Sequence, residues 1–229
     1  QTLAVYPAPL APPPYPWPFP MDREAGIAAY KAMISADEHK VLRAKGLPTE
    51  HIYSAAKGDI PILNLVVTRV EKLTDAVTLY EFSDPTGADL PEFTAGAHLD
   101  VVVAPEFFRQ YSMSGDPADR KSYQIAVLRE DKGRGGSKLM HRIFGLGRRV
   151  FVSKPISHFP LVEDASHTML MGGGIGITPM IAMAHKLHAL GRPFALYYSA
   201  KTRADAGFIP LLEAQPWAAN VHLNITDEG

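Results

Sequence analysis

A run of glycines between an apolar segment and an amphipathic one constrains the fold of this chain more than any other feature. Residues 168–191 read TMLMGGGIGITPMIAMAHKLHALG. Glycines in such a turn let the backbone approach a ligand closely, and a helix that follows offers free amide groups and a positive dipole end to a phosphate. Pro179 suits the first turn of that helix, where no amide hydrogen is needed. The segment predicts a strand–turn–helix unit that binds a dinucleotide pyrophosphate.

The region from residue 163 onward is predicted to be a parallel α/β domain. After the glycine turn, PFALYYSAK, DAGFIPLLEAQ and VHLNIT alternate as strand, helix and strand. The turn departs from G-x-G-x-x-G because residue 177 is Ile, so a tight turn with glycine used only for packing stays open. A stable open sheet of this kind usually has about five or six strands, whereas this segment contains three. We therefore assign residues 163–229 to an NAD(P)-binding domain that continues beyond Gly229.

Residues 59–162 have the pattern of a small antiparallel β-barrel. The runs ILNLVVTRVEKL, AVTLYEFSD, HLDVVVA, YQIAVLRED and RRVFVSKPI are short and rich in Val and Ile. Gly, Pro and Asp separate them, at a spacing typical of a meandering all-β unit.

Residues 1–58 are predicted to be a Pro-rich linker followed by a helical appendage. Eight of the first 20 residues are proline, which favours extended polyproline II, either as a stiff spacer or as a docking segment. From Asp22, a plausible N-cap, the pattern changes to two short helices that end near Gly46.

Composition excludes several classes of function. The 229 residues include no cysteine, so disulfides, thiolate-held zinc and cysteine-held iron–sulfur clusters are excluded within them. A net charge of −1 gives no basic field for nucleic acid, and no run of about 18 apolar residues could span a bilayer. A cytoplasmic setting is the default. Among the histidines from residue 141 onward, only His185 and His188 are spaced closely enough to share a metal. We predict that they lie on a solvated helix face and do not bind a metal.

A second motif combines an arginine with a glycine loop. Arg109, Gln110, Tyr111 and Ser112 follow a barrel strand, and the loop GRGGS at residues 133–137 follows YQIAVLRED. Arginine offers a fixed fork for a phosphate, and glycine amides with a serine hydroxyl add neutral donors around the same anion. Tyrosine supplies a flat face for a planar ring. The alternative is a pair of ordinary loops at the end of a barrel.

The Arg109–Ser112 segment, the GRGGS loop and the glycine turn together resemble motifs of the ferredoxin-reductase superfamily, specifically of the phthalate dioxygenase reductase and vanillate demethylase reductase family. The likeness runs from about residue 60 to Gly229, with the motifs in the family's order. The family's fold is an FMN-binding barrel followed by a nicotinamide domain. Its members also carry a plant-type [2Fe–2S] domain, which we expect only in sequence beyond this chain. Ser157 stands where relatives often have Asn, while Phe159 is kept.

The resemblance implies roles for individual residues. Ser112 lies near the flavin N5, which makes it the candidate catalytic residue. The other implied flavin-binding residues are Arg109, Gln110, Tyr111, Val127, Gly135, Gly136 and Ser137, of which Arg109 and the 135–137 loop hold the FMN phosphate. The implied nicotinamide-binding residues are Gly173, Gly174, Gly176, Ile177 and Thr178.

Nucleotide choice is left open by the sequence. The residue that selects for or against a 2′-phosphate stands at the end of the strand after the glycine turn. Lys201 and Arg203 there favour NADPH, whereas Asp205 and the family favour NADH.

The resemblance implies hydride transfer from NAD(P)H to FMN, then single-electron transfer to an iron–sulfur or haem centre. The partner is an oxygenase component, or a fused oxygenase or ferredoxin domain. Alternatives are a free flavin reductase and a non-catalytic docking or electron-transfer module.

Overall fold

The computed structural model describes residues 62–104, 107–133 and 135–228. The linker and helical appendage expected over residues 1–58, and Arg134 of the GRGGS loop, lie outside the described residues. Within the described residues no helix is long and apolar enough to cross a membrane.

Seven strands form an antiparallel barrel-like sheet, as the short apolar runs predict. Six strands are ordered β4-β3-β6-β1-β2-β5, and a short β7 pairs with β3. Their inward residues, such as Leu99, Ile125 and Val152, have no exposed surface and fill the centre. The strands are β1 Ile62–Lys72, β2 Val77–Ser83, β3 Ala97–Ala104, β4 Phe107–Ser112, β5 Ser122–Leu128, β6 Arg149–Ser153 and β7 Ile156–Ser157.

A three-stranded parallel sheet follows in the order β10-β9-β8. Its strands are β8 Thr168–Gly173, β9 Phe194–Ala200 and β10 Val221–Ile225. Helix α2, Thr178–Ala189, connects β8 to β9, and the short helix α3, Ile209–Glu213, connects β9 to β10. This barrel followed by a parallel α/β unit confirms the predicted fold class.

Two local elements differ from the sequence prediction. Arg109 to Ser112 follow strand β3, as predicted, but they lie in a further strand, β4, which the sequence analysis did not predict. The GRGGS loop ends in an unpredicted helix α1, Gly136–Ile143, whose Leu139, Met140 and Ile143 are buried. Apolar side chains at this helical spacing stabilise α1 through its contact with the barrel.

Candidate functional site

The guanidinium of Arg109 lies directly against the backbone of Gly136. A Cβ atom built on Gly136 would be 2.8 Å from Nε of Arg109 and 3.1 Å from its Cζ. Any side chain at 136 would therefore displace the arginine. Strand β4 and the start of α1 thus bring together a cation and a helix N-terminus, from two motifs about 25 residues apart in sequence.

The start of α1 has donors that its own side chains leave unused. Gly135, the N-cap residue, has φ of 96°, and among residues 62–104, 107–133 and 135–228 no side chain caps the helix or places an acidic group in its first turn. The Ser137 Oγ accepts a hydrogen bond of 3.0 Å from the amide of Glu130, so its proton is available to a ligand. Free amides, a hydroxyl and an arginine at one point fit a phosphate group such as that of a flavin nucleotide.

Tyr111 contributes a buried polar atom that has no hydrogen-bond partner in the described part of the chain. Its side chain packs against the barrel core, and its hydroxyl has no hydrogen-bond partner among the described residues. Burial raises the pKa of this hydroxyl, so it stays protonated. An unsatisfied buried hydroxyl is costly, which is consistent with a polar ligand atom beside Tyr111.

The remaining predicted flavin residues take up different positions on the barrel. Gln110 is exposed on β4, while Val127 is fully buried on β5, with its side chain in the core. Ser112 is half-buried at the end of β4 and pairs directly with His98 of β3. Gln110 and Ser112 therefore face opposite to Arg109 and Tyr111 along the strand.

His98 belongs to a polar cluster that sequence reasoning missed. Its Nε2 lies 3.9 Å from Oδ1 of Asp100, and neither atom has a hydrogen-bond partner within the described structure. The ring of His158 lies 5.3 Å from the His98 ring. Burial lowers the pKa of His98, with the Asp100 carboxylate opposing that shift. His98 and Asp100 lie on the same face of β3, and the pairing of β3 with β7 brings His158 beside them.

His141 fixes α1 to the barrel. Its Nε2 is 2.9 Å from the carbonyl oxygen of Val127, and its Nδ1 is 3.3 Å from Oγ1 of Thr78. Burial lowers the pKa of His141, which favours the neutral ring. Sequence reasoning also missed this contact, although the apolar spacing around His141 is a signal for the helix that carries it.

The glycine turn leaves its backbone open on one side. Gly172 is buried, and a Cβ there would lie 2.7 Å from Cα of Ile177, so only glycine fits the close return of the chain. Gly173 and Gly176 are exposed, and Gly174 has φ of 52°. A 3-10 turn, Gly174–Ile177, precedes α2, which has Pro179 in its first turn and no side-chain cap.

The predicted nucleotide-selecting residues stand beside this turn. Gly173 of β8 pairs with Ser199 of β9, so the end of β9 lies at the same edge of the sheet. Lys201 is exposed. Arg203 forms a two-point ion pair with Glu228, with 2.6 Å between Nε and Oε1.

His185 does not belong to a solvated helix face, and that interpretation was wrong. Its side chain on α2 is only 17% exposed, and the indole N–H of Trp217 donates to its Nδ1 at 3.4 Å. The carboxylate of Asp116, from the loop after β4, lies 3.9 Å from the same nitrogen. Burial lowers the pKa of His185, whereas Asp116 raises it. His188 is exposed, as predicted.

Two curated relatives show extensive sequence identity to this chain. It is 47% identical over 146 residues to the tert-butanol monooxygenase / tert-amyl alcohol desaturase reductase subunit of Aquincola tertiaricarbonis, covering 64% of this chain and 43% of the relative. It is 40% identical over 163 residues to the phthalate dioxygenase reductase of Burkholderia cepacia, covering 71% of this chain and 51% of the relative. The chain spans about half the length of the curated relatives it matches. No protein-family model matches it.

Two solved structures are similar in fold and sequence. Phthalate dioxygenase reductase, described as a modular structure for electron transfer from pyridine nucleotides to [2Fe–2S], has a TM-score of 0.70 and 38% identity, covering 73% of this chain and 53% of that one. An intact type IV self-sufficient cytochrome P450 monooxygenase has a TM-score of 0.70 and 33% identity, covering 82% of this chain and 25% of that one.

Proposed function

The chain belongs to the phthalate dioxygenase reductase family, and from this we propose that it is an NAD(P)H-dependent oxidoreductase that binds FMN and supplies electrons to an oxygenase system. The observation that carries the proposal is the contact between Arg109 and Gly136 at the uncapped start of α1.

Arg109 and the start of α1 hold the flavin phosphate in this proposal. The guanidinium supplies charge and a planar fork, the amides at Gly136 and Ser137 add neutral donors, and the Ser137 hydroxyl donates its free proton. A terminal phosphate with several negative oxygens matches this number of donors, which favours FMN. His141 keeps the helix start at the level of Arg109 by fixing α1 to the barrel.

Tyr111 and Ser112 orient the ring system. The Tyr111 ring provides an apolar face, and its unpartnered hydroxyl donates to a polar atom of the bound group. Ser112 is the last residue of β4 and faces opposite to Tyr111, so in this proposal it meets the N5 edge of the ring from the end of the strand and fixes the register of the ring relative to the glycine turn. Bound flavin supplies the chemistry, accepting hydride from NAD(P)H and releasing electrons singly. No side-chain general base is needed, so the protein contributes position and electrostatics.

The glycine turn receives the nicotinamide nucleotide. Gly173, Gly174 and Gly176 present backbone without side chains, and the start of α2 directs its dipole toward a phosphate. Ile177 is buried and Thr178 donates to the carbonyl oxygen of Ile175 at 3.0 Å, so these two residues hold the turn in shape.

The acceptor in this proposal is an iron–sulfur or haem centre of an oxygenase system. Electron transfer to [2Fe–2S] in the similar phthalate dioxygenase reductase supports the first. The similarity to a self-sufficient P450 monooxygenase favours a second candidate, in which the same unit serves a fused haem domain.

The test is an absorbance titration of the protein after reconstitution with FMN and, separately, with FAD. We expect tight FMN binding, and bleaching of the flavin band on anaerobic addition of NADH or NADPH. Arg109→Ala should weaken FMN far more than riboflavin, which has no phosphate. A protein that binds neither flavin would contradict the proposal, and one that binds only FAD would contradict the choice of FMN.

A further inference from the structure

The cation at the nucleotide-selecting position is engaged by a carboxylate from a different strand. Arg203 follows β9, and Glu228 follows β10, 25 residues later. The Nε atom is 2.6 Å from Oε1, and the second guanidinium nitrogen is 3.0 Å from Oε2. This is the planar two-point geometry in which arginine also binds a phosphate.

Backbone hydrogen bonds after β10 position Glu228 beside Arg203. After β10 the amide of Thr226 donates to the carbonyl oxygen of Ala200 at 3.0 Å, and the amide of Asp227 donates to that of Lys201 at 3.1 Å. The chain then turns, with the amide of Glu228 donating to the carbonyl oxygen of Ile225 at 3.0 Å. The segment thus runs beside the residues after β9 and delivers the Glu228 side chain to Arg203.

The pair lies where a nucleotide's ribose is recognised. In parallel α/β sheets the end of the strand after the glycine turn contacts the 2′ position, where a basic residue accommodates a 2′-phosphate. The pairing of Gly173 with Ser199 puts the end of β9 at the same sheet edge as the turn.

Local charge at this edge is more acidic than the sequence around Arg203 indicates. This edge of the sheet has two cations, Lys201 and Arg203, and three carboxylates, those of Asp205, Asp227 and Glu228. Asp205 accepts a hydrogen bond of 2.8 Å from the Thr202 hydroxyl and stays within the turn. With two cations and three carboxylates, the local net charge is negative, and it disfavours binding of a phosphate dianion.

We propose that Glu228 is a specificity-determining residue: by engaging Arg203 it disfavours NADPH and leaves NADH as the preferred nucleotide. The proposal rests on the nicotinamide-binding function proposed above. Glu228 acts mainly through Arg203, because it occupies the guanidinium N–H groups that would otherwise bind the 2′-phosphate. Its negative charge also repels the phosphate. Because both side chains are about half exposed, at 61% and 45%, the effect is one of selectivity and not of folding.

The test compares wild type with Glu228→Gln, which keeps the size of the side chain and removes its charge. We expect the ratio of kcat/KM for NADPH to that for NADH to rise about tenfold, as expected when one charge-assisted hydrogen bond from the released Arg203 becomes available to the 2′-phosphate. The change should lie in KM for NADPH, since the 2′-phosphate is remote from the reacting carbon. Binding of 2′,5′-ADP should tighten by a similar factor relative to 5′-AMP.

Two further variants isolate the cause. Glu213→Gln removes an exposed carboxylate of α3 and should leave the ratio unchanged. Arg203→Ala combined with Glu228→Gln should lose most of the gain, because most of it depends on the released guanidinium and only the relief of repulsion remains. Equal changes for both nucleotides, or a gain of the same size without Arg203, would overturn the inference. A wild-type protein that binds neither fragment would overturn the nucleotide-binding function itself.

Discussion

Replacing Gly136 by alanine tests the phosphate cradle at a single atom. The added Cβ would lie 2.8 Å from Nε of Arg109 and 3.1 Å from two further guanidinium atoms, closer than ordinary van der Waals contact. Because the arginine is the flexible partner, it moves away and its alignment with a bound phosphate is lost. Hydrogen bonds to charged groups contribute about 1.5–3 kcal/mol. The Kd for FMN should therefore rise about 10- to 100-fold.

The assay is quenching of flavin fluorescence, measured in parallel with FMN and riboflavin. Riboflavin has no phosphate, so its Kd should change little and the preference for FMN should collapse. Gly145→Ala is the matched control, since a Cβ there meets no atom within 4 Å. Alanine is also a better helix former than glycine, so weaker binding cannot be ascribed to a melted α1. An unchanged Kd for FMN, or an equal loss for riboflavin, would refute this reasoning.

Three further predictions concern stability and protonation. Burial lowers the pKa of His141, so this histidine is protonated at a higher pH in the unfolded chain than in the folded one. The free energy of unfolding, measured with urea, should therefore be constant above about pH 6.5 and fall below it. The fall should be less steep in His141→Gln. Gly172→Ala forces a Cβ against backbone and should cost about 1–3 kcal/mol in thermal unfolding, whereas Gly176→Ala, with open space, should not. Asp116→Asn should lower the NMR-measured pKa of His185, because that carboxylate raises it; an unchanged value would contradict the contact.

Local pattern was enough to predict the two kinds of sheet. The short Val- and Ile-rich runs became β1 to β3, β5 and β6, and the alternation after residue 163 became β8 to β10 with their helices. The glycine turn was predictable because residue 172 has no room for a side chain, which is a strictly local requirement. Helix α1 was not predicted, because it starts inside a glycine-rich loop and is only eight residues long.

Contacts between distant segments could not be predicted. The pattern of its own helix predicts that His185 lies at the surface, whereas Trp217, 32 residues later, and Asp116 both lie against its ring. The sequence around Arg203 shows only a cation after β9, whereas in the structure the segment after β10 brings Glu228 beside it. Both contacts were missed for one reason: sequence periodicity reports which face of an element is apolar, and not which polar groups another element presents to it.

The starts of α1 and α2 follow a common physical rule. Each comes shortly after a glycine with positive φ, Gly135 or Gly174, and neither has a side-chain cap. By contrast, the short 3-10 turn at Arg203–Asp205 is capped by the Thr202 side chain. Uncapped amides at a helix start cost stability that a cap of about 1 kcal/mol would recover. In the proposed function a bound phosphate would supply that cap at each helix start, and the ligand would stabilise the folded chain by RT ln(1 + [L]/Kd).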